Sequence, residues 1–259
     1  MVLKDWPIFY EWITGLLGID RYRDYLASDT LYTYIKNIVQ PIAFLERIIC
    51  GSNVYVFGAG PSLPDHVRRV SKLLDRLPYR PVIVAADGAA RALMENNIVP
   101  DIVVSDFDGG SNVLLEAGIN GSILVLHAHG DNIDLIHKTM PRLLKITKMI
   151  IGTTQVYPAY GLHNFGGFTD GDRAVYLAVW FNAYSITLFG MDFGEIVGRY
   201  SKPWMKNDLL ADRRKRIKLM IAKRLIEEIA CRSGTRFYSL MSTGIRCVEA
   251  IDYRFLEEI

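Results

Sequence analysis

The sequence predicts an α/β fold in which a doubly wound, mainly parallel sheet has helices on both faces. Three observations support this. From residue 50 onward, short apolar runs rich in β-branched residues alternate with segments of helical periodicity. Five of the runs end in polar or glycine-rich turns, which separate strand from helix. The chain has 259 residues, of which 50% are hydrophobic and 22% charged, as expected for a globular protein with a sizeable core.

Composition and charge argue against several classes of function. The net charge of +2 favours neither nucleic-acid binding nor a membrane surface. No apolar run reaches the roughly 18 residues of a membrane-spanning helix, and the N-terminus does not resemble a secretory signal. Cys50, Cys231 and Cys247 are scattered and indicate neither a disulfide framework nor a structural zinc site. We expect a cytoplasmic protein with small-molecule partners, and the sequence leaves open whether it forms a homo-oligomer.

The chain divides into two predicted parts. Residues 1–49 carry aromatic side chains at helical spacing and form an N-terminal helical extension, with Pro41 opening its last helix. Residues 50–259 form the α/β catalytic domain, which ends in a charged amphipathic helix over 207–232. The basic run at 213–216 in that helix is typical of a solvated face.

The predicted strands and helices alternate along the second part. Strands are expected at 53–57, 81–86, 101–106, 122–127, 148–151, 185–189 and 235–240. Helices are expected at 63–77, 89–96, 132–144 and from 170 to about 180. The connection from Gly152 to Gly167 is long, glycine-rich and aperiodic, which favours a functional loop.

The stretch from Pro100 to Gly110 is the centre of this pattern. Its apolar strand ends in Asp106 and Asp108, and paired glycines follow. In an open parallel sheet, ligands bind outside the carboxyl ends of the strands. Carboxylate oxygens there are the ligands that Mg²⁺ prefers, and Mg²⁺ is usually bound together with substrate phosphates. The alternative is a solvated Asp-rich turn.

Polar turns follow five strands, and a parallel sheet brings all of them to one edge. They are Gly58 to Ser62, Asp87-Gly88, Asp106 to Gly109, His127 to Asn132, and Gly190 to Gly194. Carboxylates occur in four of the five. Each turn alone has an ordinary explanation as a surface loop, but together they predict a ligand-binding rim.

The turn Gly58-Ala59-Gly60-Pro61-Ser62 suits a phosphate or a nucleotide. Its glycines allow close approach of a ligand, and the helix behind it supplies unpaired N–H donors. It is not the dinucleotide fingerprint, because Leu63 occupies the position of the third glycine, and it is not a Walker A motif. A tight strand–helix turn is the alternative.

The pair His127 and His129 allows two interpretations. Alternate residues at a strand end could both reach a zinc ion, but the sequence has no nearby cysteine and no HExxH motif to complete such a site. Contacts to phosphates, or positioning of Asp131, are the other interpretation. Carboxylates that hold a cation beside a phosphate-binding turn indicate phosphoryl or nucleotidyl transfer.

Two of these stretches resemble thiamine pyrophosphokinases. Val84 to Leu93 is similar to their ADGG-type turn, and Pro100 to Gly109 to their PD-(apolar)-GDFDS segment. Ser105 stands where that family has glycine, and Gly109 where it has serine. At His127 to Asn132 the chain also departs from their aspartate-rich segment.

The combination of motifs over residues 50–200 resembles more closely the archaeal 6-hydroxymethyl-7,8-dihydropterin pyrophosphokinases of the MptE type. The motifs are Gly58 to Leu63, Ser105 to Asp108, His127 to Asn132 and Gly167 to Ala174. The resemblance implies a thiamine-pyrophosphokinase-like core and an Mg²⁺- and ATP-dependent transfer of diphosphate to a pterin, in archaeal pterin biosynthesis.

The resemblance also implies roles for individual residues. Asp106, Asp108 and Asp131 would be catalytic and hold Mg²⁺, whereas Gly58 to Ser62 and Asp87-Gly88 would border ATP. Contacts to phosphate or pterin would come from His127, His129, Asn132, Asp170, Asp172 and Arg173. Three alternatives stay open: thiamine as acceptor, a metal-dependent glycosyltransferase that uses a nucleotide sugar, and a nucleotide-binding protein without catalysis.

Overall fold

The computed structural model of the chain describes residues 2–156 and 161–258. Its first part contains the predicted helices, as α1 (Val2–Leu17), α2 (Arg21–Ile35) and α3 (Ile42–Ile49). The alternating part follows. Its elements are β1 (Asn53–Phe57), α4 (Leu63–Leu73), β2 (Val82–Ala86), α5 (Ala89–Met94), β3 (Ile102–Ser105), α6 (Ser111–Ile119), β4 (Ile123–Ala128), α7 (Ile133–Leu143), β5 (Ile150–Thr154), α8 (Asp170–Trp180), β6 (Ser185–Phe189), β7 (Ile196–Val197), β8 (Leu209–Leu210), α9 (Arg213–Arg232), β9 (Arg236–Ser239) and β10 (Glu249–Ala250).

Eight of the strands form one parallel sheet in the order β10-β9-β6-β1-β2-β3-β4-β5. Helices cover both faces, and the side chains of β1 show the division. Val54 and Val56 join the core beneath α1, α3, α8 and α9, whereas Tyr55 and Phe57 join the core beneath α2 and α4 to α7. The predicted doubly wound α/β class is confirmed.

The sequence prediction missed three features of this fold. Helix α6 was not predicted, nor were the antiparallel hairpin of β7 and β8 and the short edge strand β10. The strand expected at 148–151 lies at Ile150–Thr154, so the long glycine-rich connection begins later than predicted. Residues 157–160 of that connection lie outside the described residues.

Strand β1 lies at the topological switch point of the sheet. From β1 the chain adds β2, β3, β4 and β5 on one side, then crosses back and places β6 on the other side of β1. The connections that leave β1 and β6 therefore diverge and open a crevice between them, which is where open α/β sheets bind ligands.

The N-terminal helices pack on the same sheet. Helix α2 contacts β4, β5 and α7. The indole N–H of Trp6 in α1 donates to the backbone carbonyl of Gln155, just beyond β5, at 2.8 Å. Arg232 at the end of α9 forms an ion pair with Asp5 at 2.8 Å. The extension thus shares the core of the α/β part, and its separation at residue 49 stays a prediction.

One pair of cysteines departs from the sequence expectation. Cys231, in the last turn of α9, and Cys247, before β10, form a disulfide with a Cα–Cα distance of 5.2 Å. Their spacing in the sequence matches no motif. They meet only because the chain returns through β9 after α9. Within the described residues, Cys50 is an exposed free thiol, and none of the helices is long and apolar enough to cross a membrane.

Candidate active site

A pocket of about 500 Å³ opens at the carboxyl edge of the sheet, and all five predicted turns contribute to it. Four further segments contribute to its walls. They are the turn between α1 and α2 with the start of α2 (Gly18 to Asp24), the start of α8 with the residues before it (Phe168 to Arg173), the segment from Ile196 to Lys202, and the pocket-facing side of α9 from Arg214 to Ala222. The parallel sheet therefore gathers the motifs as expected, and both ends of the chain enclose them.

Three carboxylates meet in the centre of the pocket. Oxygens of Asp87, Asp106 and Asp170 all lie within 4.8 Å of one another. Asp87 follows β2 and Asp106 follows β3, whereas Asp170 is the first residue of α8, which packs against β1, β2 and β3. Ligand oxygens of one Mg²⁺ ion, at about 2.1 Å each, are at most about 4.2 Å apart. The three side chains therefore fit a single hard cation with little movement.

The electrostatics of this cluster favour a cation. Burial, followed by the charges of the neighbouring aspartates, holds the pKa of both Asp87 and Asp170 well above the usual value. Burial alone would also raise the pKa of Asp106, but a hydrogen bond with His129 and the charges of His129 and Arg173 hold it well below the usual value. A divalent cation bound among the carboxylates would reduce their mutual repulsion.

The loop after β3 is built around the Asp87 side chain. Its Oδ1 accepts hydrogen bonds from the Ser105 hydroxyl at 2.7 Å and the Gly109 backbone N–H at 3.1 Å. A side chain at position 109 would overlap that carboxylate. The Ser105 hydroxyl in turn accepts from the backbone N–H of Phe107, which is buried at a positive φ of 75°. Buried Phe107 separates Asp106 from Asp108, and both aspartates line the pocket.

A second set of contacts holds Asp106. Its carboxylate lies 3.1 Å from His129 Nε2. The side-chain amide of Asn132 donates to the backbone carbonyls of Asp106 at 2.9 Å and His127 at 2.7 Å. Asn132 is buried and therefore ties the loop after β3 to the loop after β4. Its predicted contact with substrate stays a prediction.

The other predicted catalytic aspartates lie outside the cluster. Asp108 forms an ion pair with Lys202, a residue outside the predicted site. Asp131 lines the pocket and is exposed, but it does not belong to the group of three carboxylates. The metal-ligand roles of Asp108 and Asp131 therefore remain untested predictions, whereas Asp87 and Asp170 join Asp106 in the geometry.

Asp172 and Arg173 occupy different environments at the start of α8. The Asp172 carboxylate is fully buried and accepts from the backbone N–H groups of Phe168 at 2.5 Å and Thr169 at 2.8 Å, which caps the helix. It does not line the pocket. Arg173 does, and its guanidinium bonds Asp170 at 3.3 Å and the Gln155 side chain at 3.2 Å. These contacts leave Arg173, but not Asp172, in a position to meet a ligand.

His127 is separated from the pocket. It is 2% exposed, its Nδ1 lies 3.0 Å from the Thr153 hydroxyl, and burial lowers its pKa well below the usual value. Its neighbour in the motif, His129, does line the pocket. In the part of the chain that the structure describes, no histidine belongs to a group of three metal ligands, so the zinc interpretation gains no support.

The glycine turn after β1 is packed against the loop after β6. Three of its backbone N–H groups already have acceptors at the end of β6 or in that loop: Gly58 bonds the carbonyl of Phe189 at 2.8 Å, Gly60 the carbonyl of Gly190 at 2.8 Å, and Ser62 the Asp192 carboxylate at 3.2 Å. A side chain at position 60 would overlap Asp192. The glycines are therefore required for loop–loop packing, and these three amides are engaged within the protein. Gly58, Ala59 and Gly60 still line the pocket, whereas Pro61 and Ser62 do not.

Comparison with known proteins identifies the family. The family model described as 6-hydroxymethylpterin diphosphokinase MptE-like matches residues 29–198, about two thirds of the chain. The chain belongs to the MptE-like family. A Methanocaldococcus jannaschii protein named 6-hydroxymethyl-7,8-dihydropterin pyrophosphokinase is 43% identical over 233 residues, 87% of this chain and 95% of the relative. Proteins of the same name from Methanothermobacter thermautotrophicus and Pyrococcus furiosus are 42% and 39% identical, each over 88% of this chain and 94% of the relative.

The MptE-like family is one of diphosphotransferase enzymes, and the matched segment contains all three carboxylates of the cluster. Two walls of the pocket lie outside that segment. Asp24 belongs to the first wall, and its buried carboxylate accepts from the Tyr10 hydroxyl at 2.7 Å, the Gln155 amide at 2.6 Å and the backbone N–H of Gly130 at 2.7 Å. These bonds fix α2 to the loop after β4. No motif in the sequence signals this role.

Helix α9 forms the second of these two walls. The prediction that the basic run at 213–216 is a solvated face is wrong for part of the helix, because Arg214, Lys215 and Lys218 of α9 line the pocket. Spacing along α9 could have shown that the three pocket-lining residues of the helix share one face, but not that this face covers the sheet edge.

Lys202, outside α9, is also a cation of the pocket. Burial would lower the pKa of Lys202, but Asp108 and the other carboxylates raise it above the usual value.

Proposed function

We propose that this enzyme transfers a diphosphate group from ATP to the hydroxymethyl oxygen of 6-hydroxymethyl-7,8-dihydropterin. The hydroxyl oxygen attacks the β-phosphorus, the bond between that phosphorus and the oxygen bridging to the α-phosphate breaks, and AMP leaves. The observation that carries the proposal is the three-carboxylate cluster in the pocket of an MptE-like chain. The names of the three relatives support the same acceptor.

The cluster is the proposed Mg²⁺ site, held by Asp87, Asp106 and Asp170. All three donors are hard carboxylate oxygens. Burial together with the neighbouring carboxylate charges raises the pKa of Asp87 and Asp170, and a divalent ion would neutralise those charges. Mg²⁺ bound there would screen the negative charge of the phosphate oxygens during transfer.

The protein groups position the reactants. We assign the nucleotide to the crevice at the switch point, bordered by Gly58 to Gly60, Asp87-Gly88 and the loop after β6. The acceptor is assigned to the side formed by the turn between α1 and α2 and the loop after β4. This arrangement places the carboxylate cluster between the two substrates, where positioning and electrostatics carry most of the catalysis.

The hydroxyl proton needs an acceptor on the pterin side. We assign this role to Asp131, because it lines that side of the pocket and its carboxylate has no hydrogen-bond or ion-pair partner among the described residues. Asp131→Asn is expected to lower kcat while leaving KM for ATP unchanged. Asp134→Asn, an exposed site nearby that does not line the pocket, is the matched control. An unchanged kcat in Asp131→Asn would remove the assignment.

The decisive experiment measures AMP formation from ATP and Mg²⁺ with 6-hydroxymethyl-7,8-dihydropterin or thiamine supplied in parallel. We expect AMP in a one-to-one ratio with pterin diphosphate and no AMP above background with thiamine. Formation of thiamine diphosphate alone would show that the acceptor is wrong. A folded enzyme that is silent with both acceptors would show that diphosphate transfer itself is wrong.

A further inference from the structure

The first two turns of α9 present cations to the pocket on a side where no motif was predicted. Arg214, Lys215 and Lys218 all line it. Arg214 is partly satisfied by the backbone carbonyl of Leu17 at 3.1 Å, and the Lys218 ammonium lies 5.9 Å from the ring centre of Phe168. Lys215 has no hydrogen-bond or ion-pair partner for its ammonium within residues 2–156 and 161–258.

Two other lysines lie near Lys215. Its ammonium is half-buried and close enough to Lys202 and Lys218 to be repelled by both, while Asp108 and Asp170 attract it from the rim of the sheet. Lys202 is already neutralised by its ion pair with Asp108. Placing unpaired ammonium groups together in a partly desolvated pocket costs free energy, which an incoming anion would recover.

The remaining basic residues of the same helix turn differ from these lysines. Arg213 is exposed and does not line the pocket, and Arg216 points to Glu195 at 3.7 Å on the exposed side. The basic run therefore divides into a solvated half and a half that faces the carboxylate cluster. A uniformly solvated helix face would not make this division.

We propose that Lys215 and Lys218 bind the phosphate oxygens of a nucleoside polyphosphate, opposite the carboxylate cluster. The proposal rests on the proposed function for the identity of the nucleotide. Each lysine supplies a point charge with three donors, which suits phosphate oxygens. The polyphosphate then lies between the α9 lysines on one side and a cation held by Asp87, Asp106 and Asp170 on the other. Both lysines lie beyond residue 198, where the match to the family model ends.

The test uses inorganic tripolyphosphate, which has neither base nor ribose, in calorimetric titrations of the full chain with Mg²⁺ present. Lys215→Met and Lys218→Met are each expected to weaken binding by about 10-fold or more, and the double variant by more than either, because each loses a charge-assisted contact. Lys215→Arg should retain most of the affinity. Arg213→Met removes the same charge from the same helix turn and is expected to stay within about twofold of the wild type.

Absence of tripolyphosphate binding to the wild type, or equal affinity in the wild type and the double variant, would overturn the proposal. Equal losses in Arg213→Met and Lys215→Met would also overturn it, because they would show a general effect of charge. Circular dichroism of each variant checks the fold, and the retained affinity of Lys215→Arg shows that the site tolerates substitution. If lysine-dependent binding is found but the wild type releases no AMP with the pterin, the proposed function fails and the phosphate site stands.

Discussion

The turns that follow β1 and β3 have the same position in the fold but different physical roles. Both end a buried parallel strand, line the pocket and looked like ligand sites in the sequence. After β1, the N–H groups of Gly58, Gly60 and Ser62 bond the end of β6 and the loop after it, so the turn holds the two sides of the crevice together. After β3, the carboxylate of Asp106 meets two further carboxylates, and His129 and Arg173 balance only part of their repulsion.

The residue types at a strand end can therefore indicate a ligand site, but they do not show whether the polar groups there already have partners within the protein. A glycine can be required by a ligand or by a neighbouring loop. Substitutions in and around each turn distinguish these two roles.

Removing a carboxylate from the cluster should have the largest effect. Asp106→Asn is expected to lower pterin-dependent AMP release by about 100-fold or more. Mutation of a hydrogen-bond partner of a metal ligand often lowers metal affinity or activity by about 10–100-fold, and loss of a ligand itself should cost at least as much. The thermal unfolding midpoint should change little, because the lost pairing with His129 is offset by relief of the repulsion with Asp87 and Asp170. Asp134→Asn is the control and should keep full activity. An active Asp106→Asn enzyme would contradict the metal assignment.

The support of the cluster is tested at Ser105, the position where thiamine pyrophosphokinases have glycine. Ser105→Ala removes the hydroxyl that bonds Asp87 and Phe107, so kcat should fall by about 10-fold or more with KM for the pterin little changed. Ser122→Ala loses a comparable buried bond, from its hydroxyl to the carbonyl of Pro100, at the opposite edge of the sheet. If both variants lose only stability, Ser105 has no role in positioning Asp87.

A substitution in the turn after β1 should mainly lower the stability of the protein. Gly60→Ala places a methyl group against Asp192 and the carbonyl of Gly190, and we expect a loss of about 1–3 kcal/mol in the free energy of unfolding. Gly194→Ala is the matched control, because a side chain there meets open space. Chemical denaturation measures both. A Gly60→Ala enzyme of unchanged stability that no longer binds ATP would restore the phosphate-cradle interpretation.

The smallest effect is a pH dependence at His66. Burial lowers the pKa of His66, and its Nδ1 accepts the backbone N–H of Gly190 at 2.9 Å, so the folded protein favours the neutral ring. The unfolded chain binds the proton more readily, and this stability is complete above about pH 6.5 and is lost as the pH falls, by at most about 1.4 kcal/mol per pH unit. His66→Gln keeps an acceptor without titrating. Urea unfolding at pH 7.5 and 5.5 should show a steeper loss in the wild type, and parallel losses would refute the assignment.

Much of the fold follows from local patterns, whereas the site depends on distant contacts. Strand periodicity and the aspartates after β3 were enough to predict the sheet and the position of Asp106. The meeting of Asp87 with Asp170 was not predictable, because 83 residues and a crossover separate them in the chain. Lys215 was missed for the same reason: periodicity fixes a helix face but not what the face covers.

The position of β1 has a consequence for the order of folding. One neighbour of this strand, β2, follows it closely, but the other, β6, pairs Ser185 with Asn53 and is made more than a hundred residues later. Closing such a long loop costs entropy before any contact repays it, so we expect the pairing of β6 with β1 to be a late event. A chain still emerging from the ribosome can assemble β1 to β5, and it acquires a crevice only when the second half arrives.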